Sequence, residues 1–255
     1  MGAKMFGARV ARLEDPRLLT GQGGYTDDFH LPGMLEAAFV RSPHSHAKIN
    51  NIDLTAAKAH PGVVAVYTAA DLPEYLRNTT VPFQVPNAAI SQPFQQRLLE
   101  DREVCFAGEP IALVVADTRY TAEDAATLVE IDYDILAGAA DCKSALEDGA
   151  PMCHADSPNN EGAKYTVGYG DVADAFTHRE EYRIHRGGGF AIENRAVVAE
   201  YDDLRDMLTI WSATQSPFLV KQNVVDMLGW ESDRVRVIAP DVGGGFGPKT
   251  IYYVE

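Results

Sequence analysis

Cysteine is scarce in this chain. Three residues, Cys105, Cys142 and Cys153, occur in 255. That is too few for a disulfide framework or a four-thiolate iron–sulfur cluster. None stand at CxxC spacing, which removes zinc ribbons and thioredoxin-type redox motifs. They read as reduced thiols of a cytoplasmic protein. Long apolar runs are also missing. The longest, Ile111 to Ala116, suits a buried strand and falls far short of the ~20 residues of a membrane span. Met1 to Arg17 carries Lys4, Arg9, Arg12 and Arg17 but no apolar stretch, so no secretory signal is expected. Phe6 stands where a myristoylation signal needs Ser or Thr. Positive charge is in deficit, with 22 Lys and Arg against 37 Asp and Glu and a net charge of −15. Such a surface repels phosphate backbones and anionic lipid, so neither nucleic acid nor membrane is expected as a partner.

What is present reads as a mixed α/β protein. Residues 15–33, rich in Gly and Asp, read as loop. Strands are expected over Met34–Arg41, Val63–Tyr67 and Ile111–Ala116, with a short helix over Thr55–His60 stopped by Pro61-Gly62. Residues 78–96, with Pro82, Pro86 and Pro93, read as a long loop or arm. Thr121 opens a helix with Asp124 as its capping-box partner. Ala122, Ala125, Ala126 and Val129 form its apolar face. Ile131, Tyr133 and Ile135 alternate with Asp132 and Asp134 as a strand wet on one side. These spans divide the chain into an N-terminal segment (1–19), a compact α/β unit (20–136), a linker rich in Gly, Ala, Asp, Pro and Asn (137–164) and a second domain from 165 to 255. In the latter, Arg195–Tyr201 and Met207–Trp211 flank Asp202-Asp203 as a hairpin. Ser216 caps a helix through its hydroxyl, Pro217 opens it and Gly229 ends it after Leu228. Val235–Ile238 is a further strand.

That strand runs into Gly243-Gly244-Gly245-Phe246-Gly247-Pro248-Lys249-Thr250. Consecutive glycines permit positive φ, let a ligand approach the backbone, and can point several N–H groups at one anion. A P-loop would place glycine where Pro248 stands, and proline has no N–H. The dinucleotide fingerprint fails at the same residue, and Gly187-Gly188-Gly189 fails at Ile192. By composition alone, a tight structural turn is the alternative for both runs.

The segment Val235-Arg-Val-Ile-Ala-Pro-Asp-Val-Gly-Gly-Gly-Phe-Gly-Pro-Lys249 resembles the molybdenum-cofactor loop of the xanthine oxidase, or molybdenum hydroxylase, family. So does Trp211-Ser-Ala-Thr-Gln215, and Gln215 lies 31 positions before Phe246 as in that family. Arg12-Leu-Glu-Asp-Pro-Arg-Leu-Leu-Thr-Gly21, Leu31-Pro-Gly-Met34, Val40-Arg-Ser-Pro-His44 and Ala107-Gly-Glu-Pro-Ile-Ala-Leu-Val-Val-Ala116 resemble the opening of its large subunit. The resemblance implies a hammerhead-like α/β domain followed by the first part of a molybdenum-cofactor-binding domain. It implies molybdopterin, as such or as its cytosine dinucleotide, with iron–sulfur clusters and FAD on partner subunits. Gln215 would then donate its amide to an oxo ligand. Gly244, Gly245, Phe246 and Gly247 would present backbone N–H groups to the cofactor, glycine being required where a Cβ would collide. Taken by itself, Gln215 could equally be a polar residue facing solvent at the start of a helix.

Two positions depart from the family pattern. Thr250 stands where xanthine-oxidising members carry a purine-contacting Glu, which argues against xanthine as substrate and leaves aldehydes, N-heteroaromatics or carbon monoxide. Ile192-Glu193-Asn194 replaces Met-Glu-Pro. The family's base Glu is expected in a C-terminal continuation or second large-subunit piece, so this chain alone is expected to be inactive, with no catalytic residue or direct metal ligand of its own. The rival expectation is a non-catalytic scaffold. His44 and His46 could share one face of a strand, but the segment they match is structural. Cys153-His154 has no partner motif.

Overall fold

The computed structural model describes residues 6–81, 89–92, 94–168, 170, 178–185 and 187–254. Two three-stranded sheets build the first half. Pro110–Ala116 (β5) runs between Glu36–Arg41 (β1) and Val63–Thr68 (β3), antiparallel to both. Ala47–Asp53 (β2) runs between the short Glu103–Val104 (β4) and Glu130–Ile135 (β6), again antiparallel. The central β5 is apolar along its whole length because neighbours cover both of its edges and both faces, and Ile111, Ala112, Val114 and Ala116 are fully buried.

Thr55–Ala59 (α2) and Arg119–Ala126 (α4) cover the first sheet, their Ala57 and Ala125 packing on Val40, Val66, Ala112 and Val114. Small residues on the helices let the backbones approach closely. Ile131 joins this core to a second one built on Ala47, Val104 and Ile111. Residues 78–96 are closed at their base by a bridge between Thr80 and Arg97; positions 82–88 and 93 lie outside the described residues.

Val197–Asp202 (β7) and Met207–Ser212 (β8) form the expected hairpin. Pro217–Leu228 (α5) then carries the chain over to Val235–Ile238 (β9), parallel to β8. Val220 and Val224, one turn apart, bury against Ile210 and Val235. Gly229 ends the helix in the left-handed region at φ 63°, with its N–H on the Val225 carbonyl.

Local details depart from the sequence reading. Asp15–Leu19 (α1) and a turn of 3₁₀ helix over Thr26–Asp28 interrupt the stretch read as loop. Pro16 pre-sets the first turn of α1. The strand expected from Met34 begins at Glu36. Strand β2 and the four-residue helix Glu74–Arg77 (α3) were not anticipated, because polar residues interrupt the alternation in Lys48-Ile-Asn-Asn-Ile-Asp53. Helix α4 starts two residues before Thr121. Its cap is Thr118, whose hydroxyl accepts the Thr121 N–H at 3.1 Å. Ser216 makes no side-chain cap on α5. Its carbonyl takes the N–H groups of Leu219 and Val220, and its own N–H goes to the Thr214 hydroxyl.

Glu109, at the start of β5's approach, is 4% exposed and accepts the Cys105 N–H at 2.6 Å. Burial pushes its carboxyl up to about 7, and the nearby charges of Glu100 and Glu103 act in the same direction. The folded value lies above the ~4.3 of a free glutamate. Its stabilising protonated form is therefore fully present below that value and lost as pH rises through about 7. Glu109→Gln keeps an acceptor for the Cys105 N–H. Urea unfolding at pH 4.5 and pH 8 should show the wild-type protein losing on the order of 3 kcal/mol more than the variant between the two. Equal losses would contradict this assignment.

Candidate cofactor site

The loop after β9 is tied down at three points before its glycines are reached or as they begin and end. Asp241 takes two hydrogen bonds from Arg17, at 2.5 and 2.7 Å, and one from the Gly24 N–H at 2.8 Å. Its own N–H returns to the Gly24 carbonyl at 3.1 Å. The Arg17 guanidinium holds this carboxyl well below the usual carboxylate range. Gly243 donates its N–H to Glu193 Oε2 at 2.7 Å. The same oxygen receives the Lys249 ammonium at 2.8 Å. Lys249 is 4% exposed, and the other Glu193 oxygen is buried with no hydrogen-bond partner among the described residues.

Between these anchors the backbone turns through left-handed conformations at Gly244 (φ 103°), Phe246 (φ 53°) and Gly247 (φ 96°). For a bulky residue such as Phe246 that conformation costs on the order of 1–3 kcal/mol. The residue is nonetheless 71% exposed, so burial does not compensate. Gly244 and Gly245 leave no room for side chains. A Cβ on Gly244 would stand 2.8 Å from the Phe246 ring, and one on Gly245 would stand 2.3 Å from Gln215 Cδ.

Gln215 reaches the loop from the turn between β8 and α5. Its N–H binds the Lys249 carbonyl at 2.9 Å, which also takes the Thr214 hydroxyl at 3.1 Å. Its side-chain Oε1 accepts the Gly247 N–H at 3.0 Å. That bond fixes the amide's orientation, because the acceptor end faces the loop and the donor end must face away. Among the described residues, neither Gln215 Nε2 nor the N–H groups of Gly244, Gly245 and Phe246 meet an acceptor. The structure thus brings all five expected residues together. It divides them: the Gly247 N–H holds Gln215, and the other three N–H groups make no hydrogen bond among the described residues.

The reading from sequence did not find the links from Arg17 to Asp241 or from Glu193 to Lys249. Both are long-range, so no local pattern in the sequence marks them. A wide cleft of about 1070 Å³ between β1 and β7–β8 is lined by Lys249 but by neither Gln215 nor Gly243 to Gly247. His46 is held structurally, with Nε2 2.6 Å from Glu103 Oε1 and Nδ1 2.9 Å from the Ala137 carbonyl. His44 and His46 precede β2, and the His44 ring packs edge-on against Tyr133. His154 finds a partner unseen in sequence, the Cys105 thiol at 3.3 Å, but burial pushes that thiol up and keeps it protonated. Among the described residues no three His, Cys, Asp or Glu side chains converge as metal ligands. No helix among them is long and apolar enough to cross a membrane.

Two family models match the chain. Residues 20–137 match the aldehyde oxidase and xanthine dehydrogenase a/b hammerhead domain, and residues 153–255 match the molybdopterin cofactor-binding domain. The chain belongs to the molybdenum hydroxylase family and corresponds to the N-terminal portion of its large subunit. It is 38% identical to the nicotine 6-hydroxylase large subunit of Paenarthrobacter nicotinovorans, covering 98% of this chain and 31% of that protein. It is 36% identical to the carbon monoxide dehydrogenase large chain of Afipia carboxidovorans, covering 97% and 32%. Quinoline 2-oxidoreductase from Pseudomonas putida 86 superposes with a TM-score of 0.86 at 35% identity, over 95% of this chain and 31% of that one. The chain therefore spans about a third of the length of these relatives.

Because its pKa is depressed, Asp241 stays ionised throughout the neutral range, and its bond to Arg17 is lost only as pH falls through the lowered value. Hydrogen exchange at the Gly24 and Asp241 amides, corrected for intrinsic rate, should be level from pH 5 to pH 8. Arg17→Ala should accelerate both several-fold. Unchanged exchange in that variant would show that the N-terminal segment does not hold the loop.

Proposed function

We propose that this chain supplies one wall of the molybdopterin site in an oxidoreductase that oxidises an aldehyde, an N-heteroaromatic compound or carbon monoxide, taking oxygen from water. The observation that carries this reading is the orientation of Gln215. Its carbonyl is taken by the Gly247 N–H, so its amide faces away from that N–H, and neither the amide nor the N–H groups of Gly244, Gly245 and Phe246 meet an acceptor among the described residues. Four such donors on one loop and its neighbour suit the anionic oxygens of a metal-oxo and pterin group, which are costly to bury unpaired. The bare glycines suit a ligand lying against backbone.

The molybdenum cofactor, when bound, supplies the two-electron chemistry that adds a water-derived oxygen to an electron-poor carbon. The chain's own contribution is to bind and orient. Gln215 presents a donor already fixed in direction, which needs no rearrangement during the reaction. Gly244, Gly245 and Phe246 would hold the group through their backbone N–H groups. The names of the relatives, a large subunit and a large chain, support a complex. We extend that to iron–sulfur and FAD partner subunits that carry electrons away, to a cofactor in plain or cytosine dinucleotide form, and to a cytoplasmic location. The base comes from the region of the family's large subunit that follows this match.

The test is metal analysis of the complete protein carrying this chain. Stoichiometric molybdenum is expected, and an intact complex without it would overturn the reading in favour of a scaffold. With molybdenum retained, Gln215→Ala should lower turnover on the order of 10²-fold. Undiminished turnover at full occupancy would remove Gln215 from the site.

Substrate choice follows from Thr250, which closes the loop by donating its N–H to the Gly247 carbonyl at 2.9 Å and offers no carboxylate. Across a substrate panel, xanthine should give a lower kcat/KM than aldehydes, N-heteroaromatics or carbon monoxide. A ranking with xanthine first would refute the inference from Thr250.

A further inference from the structure

Residues 189–193 lie against the loop in reverse order. A Cβ on Gly189 would stand 2.4 Å from Phe246 Cβ, one on Gly244 would stand 3.1 Å from Ala191 Cβ, and one on Gly243 would stand 2.5 Å from Glu193 Cβ. The second glycine run, which fits no nucleotide motif, thus ends where it lets Phe246 hold its left-handed turn. Glu193 closes the contact. One of its oxygens receives both the N–H that begins the loop, Gly243, and the ammonium that ends it, Lys249.

Stability alone is a poor explanation for this pair. Burying a lysine and a carboxylate together roughly cancels desolvation against attraction, and a fully satisfied geometry is needed to gain from it. Here one carboxylate oxygen is buried with no partner among the described residues, which costs about 1–3 kcal/mol. An apolar pair of similar volume would pack there without that cost. What such a pair would lack is a single point that fixes the separation of Gly243 and Lys249, and with it the direction of the three N–H groups between them. Lys249 also carries the carbonyl that holds Gln215. The clamp therefore governs both halves of the donor set.

We propose that Glu193, acting through Lys249 and Gly243, is a positioning residue for the molybdopterin loop, with residues 189–193 as the loop's supporting wall. This rests on the reading of the loop as the cofactor site. The experiment uses the complete molybdenum protein, in wild-type form and as Glu193→Gln, Lys249→Met and the double variant. Glu193→Gln keeps an acceptor for Gly243 and removes the charge that holds Lys249. Expected in both single variants are a roughly tenfold fall in kcat per bound molybdenum, KM within about twofold of wild type, and roughly tenfold faster loss of cofactor on dialysis of folded protein. The double variant should be no worse than either single one, because both break one clamp. A lowered Tm with unchanged kcat per bound molybdenum and unchanged cofactor loss would mean a merely structural role and overturn the proposal.

Should the variants fail to assemble, the wild-type protein stripped of cofactor still decides. Its Gly243 amide should exchange at least tenfold more slowly than those of Gly244 and Gly245, and equal rates would overturn the clamp. Wild-type protein without molybdenum would instead bring down the reading of the site, which keeps the two failures distinct.

Discussion

A lysine ammonium with almost no access to water must be neutralised where it stands, and Lys249 meets that requirement with a single carboxylate. Much of the second domain's local geometry follows from this demand. Glu193 must come within 2.8 Å, which brings the preceding residues onto the glycine loop. The Lys249 backbone, fixed by its buried side chain, then offers one carbonyl to both Thr214 and Gln215 at the mouth of α5. Helix and loop are thereby joined on the side where β8 and β9 end. The hydrophobic core of Ile210, Val220, Val224 and Val235 supplies the bulk free energy of burial beneath them. The ion pair decides how the polar rim sits on that core.

The same division between bulk and rim explains what could be read from sequence. Elements defined by neighbouring residues were legible. Helix α5 shows its proline start, its apolar spacing and its terminal glycine within a dozen positions. Strand β9 is a short β-branched run, and the β7–β8 hairpin is marked by its aspartates. That Gln215 and the glycine run belong together was legible through their motif and spacing, although not which amide of the loop holds Gln215. What stayed hidden depends on distant partners. Lys249 and Glu193 lie 56 positions apart, and Arg17 and Asp241 lie 224 apart. No local periodicity encodes such pairs. Strand β2 was missed for a related reason: its Asn50-Asn51 pair disrupts the alternation, and its neighbours β4 and β6 supply the pairing that its own sequence does not announce.

The first domain carries an internal charge problem of its own. Glu100, Glu103 and Glu109 gather around the start of β5. Glu100 is capped by backbone N–H groups of residues 101 to 103, Glu103 by His46 and the Ala155 N–H, and Glu109 by Cys105. Backbone donors thus do much of what cations do elsewhere in proteins. This suits an acidic chain in which carboxylates outnumber basic side chains. The arrangement also ties Ala155, beyond β6, back onto the sheet.

The bond between Arg17 and Asp241 has a consequence in time. Arg17 leaves the ribosome early, but its partner is 224 residues behind it. At synthesis rates of ~5–20 residues per second, that is a wait of roughly 10–45 s. For the later part of it the hammerhead domain, whose strands pair within residues 36–135, has all of its own parts. The glycine loop cannot take up its N-terminal anchor until nearly everything described here has been made. The glycine loop is therefore the last piece of this region to settle, and a nascent chain carries a complete first domain well before that loop can close on its N-terminal anchor.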